Sequence, residues 1–217
     1  MTTPPESRTP FWCDPHPPDT VPTPTDGRRH CGVLERVIRR QWNPEHGPPP
    51  AELVAAVDYL AGLPGNLAYR LANWLDGGLW LGTGSVPGLD HLHHLAGQPT
   101  RPGSRVTWDL IPGVVAGRTL AIGTGDHLSA SLHAHEVGHA LAAMDGLVDT
   151  RDWQVIMMQC RGKLLADRYE DPHEWFAESF ALTSTRQYSA LLAMLTGHET
   201  QAAMVASYHR RNYGLGR

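Results

Sequence analysis

The sequence is short of several things, and each shortage closes off a class of protein. Only three cysteines occur, Cys13, Cys31 and Cys160, and an odd, sparse set is not a disulfide framework. No uninterrupted apolar run reaches the roughly 20 residues that a membrane-crossing helix requires, so no membrane partner is expected. Positive charge is not in excess: 18 Lys and Arg against 22 Asp and Glu give a formal net charge of −4. No basic field favours nucleic acid. The first residues, Met1-Thr2-Thr3-Pro4-Pro5-Glu6-Ser7, carry neither the basic nor the apolar stretch of a secretory leader. A cytoplasmic location is the default expectation, with export by an unconventional route left open. There is no internal repeat, and the sequence fixes no oligomeric state.

What is present is proline, glycine and histidine. Hydrophobic residues make up 41% of 217 positions and charged residues 18%, which suffices for one globular core. Residues 1–26 hold much of the proline and few aliphatics, so they cannot bury enough apolar surface to offset the entropy of ordering. A flexible tail is expected over 1–30 and a single domain over 31–217. Within it, 31–104 reads as mainly helical and 105–217 as strands, a motif helix and further helices.

Val33, Leu34, Val37, Ile38 and Trp42 fall on one face of a helix over 31–42. Pro48-Pro49-Pro50 opens another at 51–62, and a third follows Pro64 until Gly77-Gly78 ends it. Residues 82–104 read as loop with a short helix at 88–96. Strands are expected at 105–110 and 118–122, followed by the turn Gly123-Thr124-Gly125-Asp126. Helical periodicity then continues over 129–144, 151–166, 173–185, 187–196 and 199–211. The fold class is α+β, mostly helical, with a small sheet just before the central motif.

That motif is His135-Glu136-Val137-Gly138-His139. Histidines four apart on a helix lie one turn apart on nearly the same face, so both imidazoles can reach one Zn²⁺. Glu136 lies about 100° further round the helix, off the metal but within reach of a water it activates. That is the position of a general base in metal-assisted hydrolysis. Leu132, Ala134, Val137, Ala140, Leu141, Ala142, Ala143 and Met144 make the helix apolar nearly all round. Gly138 leaves room for another element or a substrate to approach. His133 should face away from the metal.

A catalytic zinc takes three protein ligands and keeps one position open. Asp145, six residues after His139, is one candidate for the third ligand, although Asp145-Gly146 also reads as a helix stop. The better candidate is Glu174 in Pro172-His173-Glu174-Trp175-Phe176-Ala177-Glu178-Ser179-Phe180-Ala181. Glu178 stands one turn on, where it can accept the second N–H of a ligand histidine and fix its tautomer. His173 reads as a surface or capping residue.

The pair of motifs, His135 to Ala140 and Glu174 to Phe180, resembles the catalytic domain of anthrax lethal factor and the small Pro-Pro endopeptidases, whose pattern is HExxHA followed by E-x-F-A-E-x-F. Weaker similarity runs through Leu63-Pro64, Leu81-Gly82-Thr83-Gly84, Thr107 to Gly113 and Leu120 to Gly123. The resemblance implies a zincin-like fold and a zinc metallo-endopeptidase acting on a peptide or protein. His135, His139 and Glu174 would hold one Zn²⁺, with Glu136 as base and Glu178 in support. The family has a tyrosine seven residues before the ligand glutamate that donates to the oxyanion. Here that position is Asp167, and the nearest tyrosine is Tyr169, five residues before Glu174. Tyr169 is assigned the role through a shortened spacer.

The family also binds extended peptide along the edge strand before the motif helix. This maps to 118–123, with Leu120, Ala121, Ile122 and Gly123 as substrate-binding residues and 124–129 as the rim. Two other readings stay open: a zinc hydrolase of a non-peptide or small amide substrate, and a non-catalytic zincin-like regulator. Elsewhere, Cys13, His16, His30 and Cys31 could together form a second, structural metal site, although their spacing fits no standard finger and scattered tail residues are the simpler reading. His91, His93 and His94 form a surface or cleft cluster, and Cys160 reads as a packed thiol.

Overall fold

The structure, a computed structural model, describes residues 13–89 and 92–216. Four short strands form one mixed sheet: β1 (Ile38–Gln41), β2 (Leu79–Gly82), β3 (Gly113–Ala116) and β4 (Thr119–Ile122), in the order β1-β2-β4-β3. β1, β2 and β4 run parallel, and β3 runs antiparallel to β4. The hairpin between β3 and β4 closes over Gly117-Arg118, where Gly117 takes φ +59°. Only glycine adopts such a value at little cost.

Two helices, α1 (Ala51–Ala61) and α2 (Gly65–Trp74), form between β1 and β2. Leu53, Ala56, Val57 and Leu60 of α1 are buried at i, i+3, i+4 and i+7, the stripe its periodicity predicts. After β4 come α3 (Leu132–Asp145), α4 (Arg151–Cys160), α5 (Pro172–Ser184), α6 (Tyr188–Met194) and α7 (Glu199–Tyr213). α3 lies across β3 and β4 and packs most extensively on α5, which in turn packs on α7. Gly138 makes that approach possible: a Cβ there would stand 2.8 Å from the Ala177 Cα and 2.9 Å from its carbonyl oxygen. The mostly helical α+β class is as expected, and among the described residues no helix is long and apolar enough to cross a membrane.

Four segments of the N-terminal half differ from expectation. Residues 31–42 form a 3₁₀ turn (Gly32–Arg36) and then β1, not one helix. β2 lies between the expected helix end at Gly77-Gly78 and the loop expected from 82, where no strand is expected, and all four of its residues are buried. Among the described residues, 105–110 hold the 3₁₀ turn Trp108–Leu110 and an isolated bridge from Thr107 to Pro99 in place of a strand, and 88–96 hold the end of the turn Val86–Gly88 and the turn His93–Leu95.

Part of the expected tail is also packed on the body. Residues 1–12 lie outside the described residues, but Cys13 and Cys31 are buried in the main core. Arg40 on β1 is 2% exposed, and it holds this segment from inside. Its guanidinium donates to both Glu35 oxygens at 2.7 and 2.8 Å, to the Arg29 carbonyl at 3.0 Å and to the Gly27 carbonyl at 3.3 Å. A buried cation is tolerated when paired and hydrogen-bonded in this way.

Candidate metal centre

The motif falls on α3 and the second acidic motif on the first turns of α5. Asp171 caps α5, accepting the N–H groups of His173 at 2.8 Å and Glu174 at 3.3 Å, with Pro172 at the first helical position. The cap fixes where Glu174 leaves the helix, while the close packing at Gly138 brings α5 against α3.

His135 Nε2 and His139 Nε2 stand 3.0 Å apart. The Glu174 carboxylate reaches the same point, Oε2 at 3.6 Å from His135 Nε2 and Oε1 at 3.5 Å from His139 Nε2. An ion with bonds of about 2.0–2.1 Å in tetrahedral geometry sets its ligand atoms about 3.3 Å apart. The three separations bracket that value, so the donor set suits a small tetrahedral cation. Among the described residues, this is the group of three His, Cys, Asp or Glu side chains that converges closely enough to hold a metal ion.

Glu178 supports the set. Its Oε2 accepts from His135 Nδ1 at 2.9 Å, and its Oε1 accepts the Ala130 N–H at 2.9 Å. With Nδ1 as the donor, the Nε2 lone pair is directed at the metal position. Burial alone would raise the Glu178 pKa, but the bonds from His135 and Ala130 more than offset it, and the net shift is downward. Glu178 is therefore the ionised partner.

Glu136 is buried on the wall of the same cleft. Desolvation, with a smaller contribution from the Glu174 charge, pushes its pKa up to about 7 despite the opposing effect of His135. The first residue of β3 lies against it: a Cβ on Gly113 would stand 2.7 Å from Glu136 Cγ and Oε1.

The cleft has two lobes that share His135, Glu136 and Glu174. One, of 480 Å³, runs along β3 past Val114 and Val115 to Trp108. The other, of 350 Å³, is walled by Pro112, Leu128, Arg168 and Tyr169. Tyr169 is buried, with the Arg168 guanidinium 4.4 Å from its ring centroid and in contact with its hydroxyl. Burial raises its pKa, as does the Glu178 charge, so the phenol stays protonated. Tyr169 thus lines this lobe together with Glu136 and Glu174.

Other expected site residues fall elsewhere. Leu120, Ala121 and Ile122 are buried, and β4 lies between β2 and β3, so no peptide can pair with it. The edge strand before the motif helix is β3, whose Gly113, Val114 and Val115 line the cleft. The signal in the sequence was the pair Val114-Val115 followed by a two-residue turn at Gly117-Arg118. Asp145 closes α3, ion-paired with Arg70 and accepting the Tyr213 hydroxyl at 3.4 Å, so it is not a ligand. His173 lines the cleft without joining the triad. His133 is not part of the converging group and packs against the Tyr59 ring, centroids 5.0 Å apart and planes tilted by 47°.

The suggested second metal site does not assemble. His16 pairs with Asp26 at 2.8 Å, His30 accepts the Gly32 N–H at 3.0 Å, and the Cys31 thiol donates to the Val57 carbonyl at 3.5 Å. His91 lies outside the described residues, His93 and His94 are exposed, and Cys160 is a buried thiol.

No protein-family model matches the sequence, and no curated protein matches it. At the level of structure, the chain is similar to the Pro-Pro endopeptidase PPEP-2 of Paenibacillus alvei, with a TM-score of 0.66 and 22% identity. The match covers 84% of this chain and all of that one. The fold is that of this endopeptidase.

Proposed function

We propose that the protein is a zinc-dependent metallo-endopeptidase. The observation that carries this reading is the placement of one buried carboxylate, Glu136, between a three-ligand metal position and the free edge of a strand. His135, His139 and Glu174 hold the zinc, and Glu178 fixes the tautomer of His135. The ion supplies, when bound, Lewis acidity that makes water a nucleophile near neutral pH and polarises a carbonyl. Glu136, with its pKa near neutrality, takes the proton from the attacking water and returns it to the leaving amine. The Tyr169 hydroxyl donates to the oxyanion that develops on the substrate.

An extended peptide pairs with the outer edge of β3, which runs the length of one cleft lobe. The two lobes leave room for chain on both sides of the cut, which favours internal cleavage of a peptide over hydrolysis of a small amide. The reaction is carried over from the similar enzyme, and its preference for proline is not.

The test is cleavage of a diverse peptide library by the zinc-loaded protein, read by mass spectrometry beside Glu136→Ala. Cuts made by the parent alone support the proposal. An intact library with stoichiometric zinc bound would overturn it in favour of a non-peptide substrate or a non-catalytic protein.

A further inference from the structure

Arg168 precedes Tyr169 in the 3₁₀ turn Asp167–Glu170, and both residues line the lobe that contains Glu136 and Glu174. Tyr169 is buried and Arg168 is exposed. An exposed arginine ordinarily pairs with a carboxylate or stays in solvent. Arg168 does neither, although Asp126, Glu136 and Glu174 stand on the walls of the same lobe. Among the described residues it makes no ion pair, and its guanidinium is fixed by neutral groups instead. Nη2 donates to the Leu128 carbonyl at 3.1 Å and to the Tyr169 hydroxyl, and Cζ stands 4.4 Å from the centroid of the Tyr169 ring. The stacking is the favourable placement of a cation on an aromatic face. One guanidinium therefore ties the rim of the cleft at Leu128 to the turn that carries Tyr169.

These contacts decide what the phenol can do. A tyrosine hydroxyl has one proton to donate and lone pairs with which to accept, whereas a guanidinium only donates. Arg168 occupies the accepting side of the Tyr169 oxygen, so the hydroxyl proton must point elsewhere. Among the described residues that proton meets no acceptor. A donor already held in place and not engaged suits an oxyanion site, since no bond has to break when charge develops on the substrate. The cation also polarises the O–H bond it touches, and linked hydrogen bonds of this kind strengthen one another. The effect has something to oppose. Burial raises the phenol pKa, as do the Glu178 and Glu174 charges, while Arg168 lowers it. Without Arg168 the phenol would be a weaker acid and a weaker donor.

We propose that Arg168 is a positioning residue for the oxyanion donor: it holds the Tyr169 ring by stacking, turns the hydroxyl proton towards the substrate carbonyl and strengthens that bond, without touching the substrate itself. This role presupposes the peptidase activity proposed above and adds to it a residue that belongs to neither motif. It requires the flat, charged fork of arginine. Lysine would keep the charge but lose the stacking and the simultaneous bonds to Leu128 and Tyr169.

The experiment measures kcat and KM separately for the zinc-loaded full chain on the library peptide that the parent cuts fastest. The variants are Arg168→Met, Arg168→Lys and Tyr169→Phe, and each Arg168 change combined with Tyr169→Phe. Arg168 is exposed, so zinc content and melting temperature should stay at parental values. Tyr169→Phe should lower kcat about 10²- to 10³-fold, as loss of one oxyanion donor does. Arg168→Met should lower kcat about tenfold or more, with KM changed by less than about twofold. Arg168→Lys should lose less. Once Tyr169→Phe is present, Arg168→Met should lower kcat by less than about twofold further, because a residue that acts through another is not additive with it. A second readout needs no turnover: ring ¹³C NMR should show the Tyr169 phenol titrating at higher pH in Arg168→Met than in the parent. If Arg168→Met loses zinc, Arg168→Lys with and without Tyr169→Phe decides by the same non-additivity. The proposal is overturned if Arg168→Met keeps parental kcat, raises KM instead, is as damaging after Tyr169→Phe as before it, or leaves the phenol titration unmoved. Each of those results leaves the peptidase reading standing, since the parent still cuts. A parent that cuts no peptide overturns the peptidase reading and this role with it.

Discussion

Glu178 Oε2 accepts from His135 Nδ1 at 2.9 Å, while Oε1 of the same carboxylate accepts the Ala130 N–H at 2.9 Å just before α3 begins. One buried side chain of α5 thus sets both the tautomer of a metal ligand and the entry of the chain into the motif helix. Replacing it by glutamine turns one acceptor oxygen into a donor facing a donor. Glu178→Gln should weaken zinc binding by about 10- to 100-fold, the usual cost of losing such support. Competition with a chromogenic chelator measures this. Unchanged affinity would remove Glu178 from the site.

Glu136 touches no ligand atom of the triad's metal position in the proposed mechanism and carries only the proton. Glu136→Gln should retain one zinc per chain and lose about 10²- to 10⁴-fold in turnover. Metal analysis of the purified variant and a peptide assay check the two halves separately. Loss of zinc would reassign Glu136 as a ligand.

Gly138 of α3 packs directly against the Ala177 backbone of α5. Alanine at 138 would gain about 1 kcal/mol of helix propensity, but its Cβ would meet backbone atoms 2.8 and 2.9 Å away. Overpacking of that kind costs about 1–3 kcal/mol. Because the obstruction is backbone, trimming Ala177 to glycine cannot relieve it. Gly138→Ala should therefore lower the melting temperature, should widen the spacing between Glu174 and the two histidines, and should reduce zinc affinity as well. Gly138→Ala and Gly138→Ala/Ala177→Gly should behave alike.

The residues of the candidate centre were legible in the sequence because each signal is local. The His135–His139 spacing, the Asp171-Pro172 helix start and the Glu174–Glu178 spacing are all decided within one or two turns. Strand order is decided by partners far along the chain, which local patterning does not reveal. Its place before the motif helix makes β4 look like the edge strand, although Leu120, Ala121 and Ile122 are apolar at every position, as suits a strand covered on both faces. β2 is buried throughout, so it shows no alternation, and its flanking glycines resemble a loop. β1 hid inside a helical pattern because Leu34 and Ile38 stand four apart, although one lies on a 3₁₀ turn and the other on a strand. The packing of residues 13–30 depends on Arg40, whose burial is invisible until its acceptors at Gly27, Arg29 and Glu35 are brought to it.

His209 gives a pH test that leaves the metal ligands untouched. It sits on α7 with no exposed surface, ringed by Trp153, Phe176 and Phe180. Its Nε2 meets Ser179 Oγ at 2.8 Å, and because that hydroxyl donates to the Phe176 carbonyl, the ring nitrogen is the donor. Nδ1 has no partner, so a second proton would be buried without an acceptor. Burial accordingly lowers the pKa to about 3, against about 6.5 in an unfolded chain. Between those values the unfolded state binds a proton that the folded state refuses. Stability is then unaffected above about pH 6.5 and falls by about 1.4 kcal/mol for each pH unit below it, down to about pH 3. His209→Gln removes the titration while keeping a polar group for Ser179. Urea unfolding of parent and variant at equal metal content, from pH 7 to pH 4, should show the parent losing stability more steeply by that slope. Parallel curves would mean that His209 is protonated inside the fold and that its surroundings accommodate the charge.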